Sequence, residues 1–301
     1  MTRLFTPCAT LWSIFLSFVL PFCLSAAAPA EAAPLRLTDD TGCSVELEAP
    51  ARRVVALYGA FNDILLDMGL GDRLAARTRA DIRPELAALP VIGTHMRPNL
   101  ELIAALQPDL ILQFEGRREA EAQVAQLRAL GFPVAVFRGS SFPDLYRIIA
   151  ALGVLTGAED RADALIDSLR SRLNALAERR IGALRPRVFF EIRSPNLLAA
   201  GANSTASAII EAAGGENAVR VPERVARLNE EELIRLDPEV YIVQQGPMNA
   251  APTPPAERDH YRNLRAVREG HVLTVDESLF SRPAPGMVEA AEMLADFFDT
   301  L

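Results

Sequence analysis

One short unit occurs twice in this chain, and a chain that carries it twice is constrained to build two similar lobes. Asn99-Leu100-Glu101-Leu102-Ile103-Ala104-Ala105-Leu106-Gln107-Pro108-Asp109-Leu110-Ile111-Leu112 aligns without gaps on residues 229–242, 130 positions later. The pairs Asn99/Asn229, Glu101/Glu231, Leu106/Leu236 and Pro108/Pro238 are identical, Asp109 matches Glu239 in charge, and Ile103 matches Leu233 in type. Each copy reads as a helix capped by Asn that stops before Pro and feeds an apolar strand. A single helix-Pro-Asp-strand unit is common in α/β proteins. Two copies flanking a long helical stretch imply lobes related by an approximate two-fold, with equivalent surfaces facing the same way.

The surrounding pattern supports this. Residues 35–38 and 44–48 alternate apolar and polar around Asp39-Asp40-Thr41-Gly42, which predicts a β-hairpin. Apolar runs at 53–57, 110–112 and 134–137 then alternate with helical patterns at 62–68, 100–106 and 119–130. Strands alternating with helices predict a parallel sheet covered on both faces. From 143 to 181 the pattern is helical, broken once at Gly157, and the part beyond the break is long enough to span ~30 Å at 1.5 Å per residue. At Arg187 the alternation resumes, with strands at 188–191, 240–243 and 272–275 and a last helix at 287–298. The organisation expected is a first lobe at 53–142, an interlobe helical segment at 143–181 and a second lobe at 187–301. The stretch Ala250-Ala251-Pro252-Thr253-Pro254-Pro255 reads as a mobile loop.

Residues 1–30 read as a signal peptide, with Arg3 followed by an apolar run and small residues that place cleavage between 27 and 32. The run is shorter than the ~20 residues of a spanning helix and contains Pro21. Leu20-Pro21-Phe22-Cys23 departs from the lipoprotein pattern because bulky Phe22 stands where a small residue is needed. Cleavage would leave Cys43 as the only thiol, so no internal disulfide is expected. With 31 basic and 39 acidic residues the net charge is −8, and no basic face offsets it, so no nucleic-acid partner is expected. Every basic residue is Arg and none is Lys, which removes Schiff-base chemistry and Walker-type phosphate loops. The chain contains neither Gly-x-Ser-x-Gly nor His-Glu-x-x-His, and only His95, His260 and His271 could act as an imidazole base. It reads as a protein that is not an enzyme.

The lobe-helix-lobe order, Arg53-Val54-Val55 after the hairpin, Asn99-Leu100-Glu101 with Pro108-Asp109, Gly214-Gly215-Glu216-Asn217, and Arg282-Pro283 before the last helix together resemble the iron-siderophore and cobalamin class of ABC-transporter periplasmic substrate-binding proteins. The resemblance covers residue 53 to the C-terminus. It implies an α/β fold of the class III periplasmic-binding-protein type: two α/β lobes with mainly parallel sheets joined by a long interlobe helix. It also implies a metal chelate as ligand, an ABC permease with its ATPase subunits as partner, a periplasmic location, and no intrinsic cofactor, with iron or cobalt carried by the ligand. In that class each lobe presents a Glu that docks on permease arginines. By position these are Glu101 and Glu231, with Glu230 and Glu232 as alternatives for the second. A Glu in the first turn of a helix also stabilises the helix by ~0.3–1 kcal/mol, so each has a purely structural reading too.

Ligands of open α/β sheets bind beyond the carboxyl ends of the strands, which selects the loops carrying Tyr58, Arg79, Arg97, Arg117 and Arg138 in the first lobe and Arg193 and Arg282 in the second. Of these, Tyr58, Arg79, Arg97, Arg117, Arg193 and Arg282 are the candidate ligand contacts. Guanidinium forks suit carboxylates, phosphates and catecholate oxygens, so an anionic ligand is expected. A ferric siderophore fits first, with haem or a corrinoid behind it. A haem site in this class would offer a Tyr in the loop here occupied by Thr78-Arg79-Ala80-Asp81. The alternatives are an oxyanion-binding protein for molybdate or tungstate on the same scaffold, or an exported ligand sensor or hydrolase. One His beside one Met, His95-Met96, is no metal spacing. A monomer is expected, and a long interlobe helix predicts capture with little lobe movement.

Overall fold

A computed structural model describes residues 1–2, 34–116 and 118–301, so the expected signal segment lies outside the described residues except for its first two. Residues 34–301 form one compact unit. It opens with the hairpin of β1 (Leu35–Thr38) and β2 (Ser44–Leu47), paired antiparallel with Leu35 opposite Leu47. Asp39 closes the turn: one carboxylate oxygen accepts from the Thr41 and Cys43 amides and the Thr41 hydroxyl. The other accepts from the Val136 amide at 3.0 Å and from Arg128 at 2.6 Å, which ties the hairpin to the edge of the first lobe.

That lobe is a four-stranded parallel sheet made of β3 (Val54–Ala56), β4 (Leu74–Ala76), β7 (Leu110–Phe114) and β8 (Val134–Phe137), in the order β4-β3-β7-β8. Its central strands are buried throughout because helices cover both faces: α1 (Gly59–Asp67), α2 (Leu100–Leu106) and α3 (Arg118–Ala129). A two-stranded excursion of β5 (Gly93–Thr94) and β6 (Arg97–Pro98) precedes α2.

The helical segment is two helices folded on each other. Ser141 caps α4 (Phe142–Thr156) in a capping box with Asp144, and Gly157 ends it at φ +58°. Glycine is required at 157 twice over, since a Cβ there would also meet Pro50 at 2.8 Å. Then α5 (Glu159–Arg179) turns back against α4, close enough that a Cβ on Gly153 would sit 2.7 Å from that of Ala162. The 21 residues of α5 extend ~31 Å.

The second lobe is a mixed sheet. Strands β9 (Arg187–Arg193), β13 (Val240–Gln245) and β14 (Val272–Asp276) run parallel, and the short β11 (Glu216–Asn217) joins β9 in the same sense. On the other edge β10 (Leu198–Ala200) and β12 (Val225–Arg227) are antiparallel. The helices are α6 (Thr205–Ala212), α7 (Glu230–Leu236), α8 (Arg265–Arg268), α9 (Glu277–Phe280) and α10 (Gly286–Phe298). Helix α10 lies along α5, held by the pairs Arg172–Glu292 at 2.5 Å, Arg179–Asp296 at 2.8 Å and Arg180–Asp299. A single hydrophobic cluster runs from Val54 and Phe61 through Leu152 and Leu169 to Phe190 and Leu294, so the core is continuous across both lobes.

The repeated unit folds the same way twice. Asn99 and Asn229 cap α2 and α7 through Leu102 and Glu232, and both helices end on a left-handed residue, Gln107 and Asp237. Arg53 donates to the carbonyl of Leu106, and Arg187 to that of Leu236 at 2.9 Å. The Asp109 carboxylate accepts the backbone N–H groups of Arg52 and Arg53 at 2.7 and 2.9 Å, as Glu239 does that of Arg187 at 2.8 Å. The main chains close the clamp, with Asp109 donating to the Arg53 carbonyl at 3.0 Å and Glu239 to that of Arg187 at 2.9 Å.

The Pro-rich stretch departs from expectation. Arg258 donates twice to the Thr253 carbonyl, at 2.9 and 2.5 Å, and its guanidinium pairs with Glu191, which is fully buried in the centre of β9 and also accepts from the Tyr241 hydroxyl at 2.6 Å. The loop is therefore fastened to the sheet by a buried charge pair that proline content does not reveal. For the clamp, Asp109→Ala and Glu239→Ala should each lower stability in urea unfolding by about 1.5–3 kcal/mol, the usual worth of hydrogen bonds to a charged group; a loss below ~0.3 kcal/mol in both would contradict its role.

Candidate functional site

Tyr58 precedes α1 with an extended backbone at φ −132°, directly beyond the carboxyl end of β3. Its ring stacks on Phe114, the last residue of β7, with centroids 4.9 Å apart and planes at 27°. His95 meets Tyr58 edge-on at 5.7 Å and Phe61 does so at 6.3 Å. The second lobe covers this pair with cations: the Arg224 guanidinium lies 5.2 Å from the Phe114 centroid and that of Arg282 lies 6.0 Å from the Tyr58 centroid. An aromatic floor at the carboxyl ends of β3 and β7 in one lobe thus faces arginines from the other. Burial pushes the Tyr58 phenol above its ordinary range, against the opposing fields of Arg282 and Arg224, so the hydroxyl keeps its proton at neutral pH.

Beneath the floor, Asp81 is buried and accepts three hydrogen bonds on one oxygen, from the Thr78 amide and hydroxyl at 2.7 Å each and from Asn62 at 3.1 Å. Its other oxygen lies 4.0 Å from Arg282. Gly59 makes this approach possible, because a Cβ there would meet both the Asp81 oxygen and the Arg282 nitrogen inside contact distance.

Of the residues selected from sequence, Tyr58 and Arg282 are brought together. Arg193, at the end of β9, is half-buried, and its Nε is buried with no hydrogen-bond partner among the described residues. Arg79, on a loop, and Arg97, the first residue of β6, are exposed on the first lobe and form no ion pair among the described residues. Arg117 lies outside the described residues. The Arg138 guanidinium reaches back to the Asp40 carbonyl and to Glu115. Phe114, Arg224 and Asp81 escaped the sequence reading. Phe114 ends an apolar strand and looks like core, and Arg224 sits between two strands of two and three residues, too short to register as strands whose ends could be marked.

Glu101 and Glu231 are each the second residue of their helix and are exposed. Glu232 is committed to the capping box, accepting from the Asn229 amide at 2.9 Å. Among the described residues no group of three or more His, Cys, Asp and Glu could hold a metal ion, and no helix is long and apolar enough to cross a membrane.

Behind the cleft, a groove of about 530 Å³ is lined by Asp63 and Arg83 of the first lobe, Leu169 and Arg172 of α5, and Pro285 and Glu289 of the second lobe. Burial raises the Asp63 carboxyl to about 6, although Arg282 and Arg83, the latter at 3.5 Å, pull it down.

Comparison with known proteins places residues 54–279 in a family described as periplasmic binding protein. An uncharacterized ABC transporter substrate-binding lipoprotein of Bacillus subtilis, YvrC, is 27% identical to this chain, with 88% of this chain and 86% of that protein covered. A cobalamin-binding protein of Halobacterium salinarum is 28% identical, with 88% of this chain and 74% of that protein covered. A solved structure described as an ABC-type Fe3+-hydroxamate transport system from Saccharomonospora viridis has a TM-score of 0.69 at 25% identity, covering 88% of this chain and 99% of that one.

The raised Asp63 carboxyl has a defined consequence for stability. A folded-state value above the unfolded one means that protonation favours folding: the contribution is fully present below about pH 4, and is lost as pH rises through about 6. Asp63→Asn should therefore melt higher than the parent at pH 7.5, with the gap closing toward pH 5 in thermal unfolding; a gap that widens on acidification would show the opposite sign.

Proposed function

The chain belongs to the periplasmic binding protein family, and from that premise we propose that it is the solute-binding component of an ABC importer, capturing a metal chelate between its lobes and delivering it to a membrane permease. The observation that carries this reading is the interlobe floor of Tyr58 and Phe114 covered by Arg224 and Arg282. Such a site accepts a ligand with a flat or apolar face and anionic oxygens: the rings take the first, and guanidinium forks take the second. A ferric siderophore comes first, with haem and corrinoids behind it. The relatives that bind cobalamin or belong to Fe3+-hydroxamate transport support the chelate class. Arg193, with its Nε unpartnered among the described residues, and the exposed Arg79 and Arg97 are the further cations available to the ligand, with Arg117 a candidate on its sequence position alone. Iron or cobalt arrives within the ligand.

The protein works in the periplasm as a monomer, and its partner is a permease energised by ATPase subunits of other chains. Glu101 and Glu231 dock on that permease. Their equivalent helix positions give each lobe one exposed carboxylate, and Glu232 is occupied by its cap.

Thermal unfolding against ferric siderophores, haem, cobalamin, molybdate and tungstate tests the cargo. A ligand at ~100 times its dissociation constant adds ~2.7 kcal/mol. Circular dichroism is the readout, since Trp12 is the only tryptophan. A shift confined to metal chelates supports the proposal, whereas one confined to the oxyanions replaces it. The docking surface is tested separately by Glu101→Arg with Glu231→Arg, which should leave chelate affinity unchanged and reduce binding to permease in proteoliposomes at least tenfold; unchanged permease binding rejects these two carboxylates.

A further inference from the structure

The contact between Arg282 and Asp81 joins the lobes, yet it is a charge pair without a hydrogen bond. Arg282 comes from the second lobe, between α9 and α10, and the flanking Pro283 and Pro285 are buried, which fixes the main chain that presents it. Asp81, Tyr58 and Gly59 belong to the first lobe. The Arg282 side chain is 14% exposed, and its guanidinium makes no hydrogen bond among the described residues. The Asp81 side chain is 2% exposed, and all three of its hydrogen bonds fall on the oxygen turned away from Arg282. Each charge therefore balances the other at 4.0 Å while both keep hydrogen-bonding capacity unused.

We propose that Asp81 is a positioning residue that holds Arg282 across the empty cleft as an interlobe latch, which an anionic ligand opens by taking the guanidinium for itself. An incoming carboxylate or catecholate can approach to 2.7–2.9 Å with charge-assisted hydrogen bonds, which Asp81 at 4.0 Å does not make. The exchange leaves Asp81 held on one oxygen by Thr78 and Asn62 and strips the other of its counter-charge, a cost that the ligand's hydrogen bonds to Arg282 must exceed. The same pair thus keeps the lobes together before capture and supplies a ready cation at capture. The second half rests on the cleft being the ligand site; the first does not.

The test uses ligand-free protein with Cys8 and Cys23 changed to Ser, carrying nitroxide labels on Cys43 of the hairpin that Asp39 ties to the first lobe and on Glu211→Cys of the second lobe. Pulsed dipolar spectroscopy reports the interlobe distance. Arg282→Gln and Asp81→Asn should each widen the distance distribution, and the double variant should be no wider than either single. Arg282→Lys, which keeps the charge where no fork-shaped hydrogen bond is made, should stay as narrow as the parent. Asn at 81 retains an acceptor for Thr78, and circular dichroism confirms that each variant is folded. Unchanged widths in both singles, additive widening in the double, or a Lys variant as wide as the Gln variant would overturn the latch. Failure of every chelate to bind would strike the proposed cargo and leave these distances as they are.

Discussion

The rest of the structure depends on a clamp made twice. In each lobe an arginine at the start of a central strand, Arg53 just before β3 and Arg187 the first residue of β9, bonds the last carbonyl of a seven-residue helix, while an acidic residue after the helix gathers the amide of that same arginine. A helix this short is unstable alone, because few of its backbone groups are paired within it. The clamp meets its open end with a cation, as the helix dipole favours, and brings two strands into register in the same stroke. Once Arg53 meets Asp109, strands β3 and β7 are neighbours, and Tyr58 and Phe114 at their far ends must meet as well. The aromatic floor is thus positioned from the opposite edge of the sheet.

The fold was legible in the sequence to the extent that it is written in local pattern. Asn99 and Asn229 cap where Asn caps, the prolines stop their helices, and Val134–Phe137 is buried as its apolar run requires. The partnership of Arg53 with Leu106 and Asp109, or of Arg187 with Leu236 and Glu239, was not legible. It joins residues about fifty positions apart, and nothing in either segment marks the other. The tethered Pro-rich loop was misread for the same reason, since its restraint comes from Glu191, buried in a strand that looks apolar.

The site was half legible. Tyr58 and Arg282 follow from the rule that strand ends carry ligands, and Arg282 is the last polar residue before a helix that packs on α5. Arg224 lies outside that rule, because it is delivered by an edge of two very short strands whose direction no residue pattern shows. Phe114 belongs to the core by burial and to the cleft by contact, and one residue doing both cannot be assigned from its neighbours in sequence. With lysine absent, Arg224 and Arg282 both present planar forks to the cleft, so they can lie flat on the rings as well as pair with oxygens.

The unbroken core also governs how the molecule comes apart. A chain built from a doubled unit could melt one half at a time, each with its own transition. Here α4 and α5 share their apolar faces with both sheets, and three charge pairs lace α10 to α5 over about two turns, so neither half can expose its interior without the other. Amide protons deep in the two sheets should exchange in a common cooperative opening, and whatever occupies the cleft protects residues that it never touches.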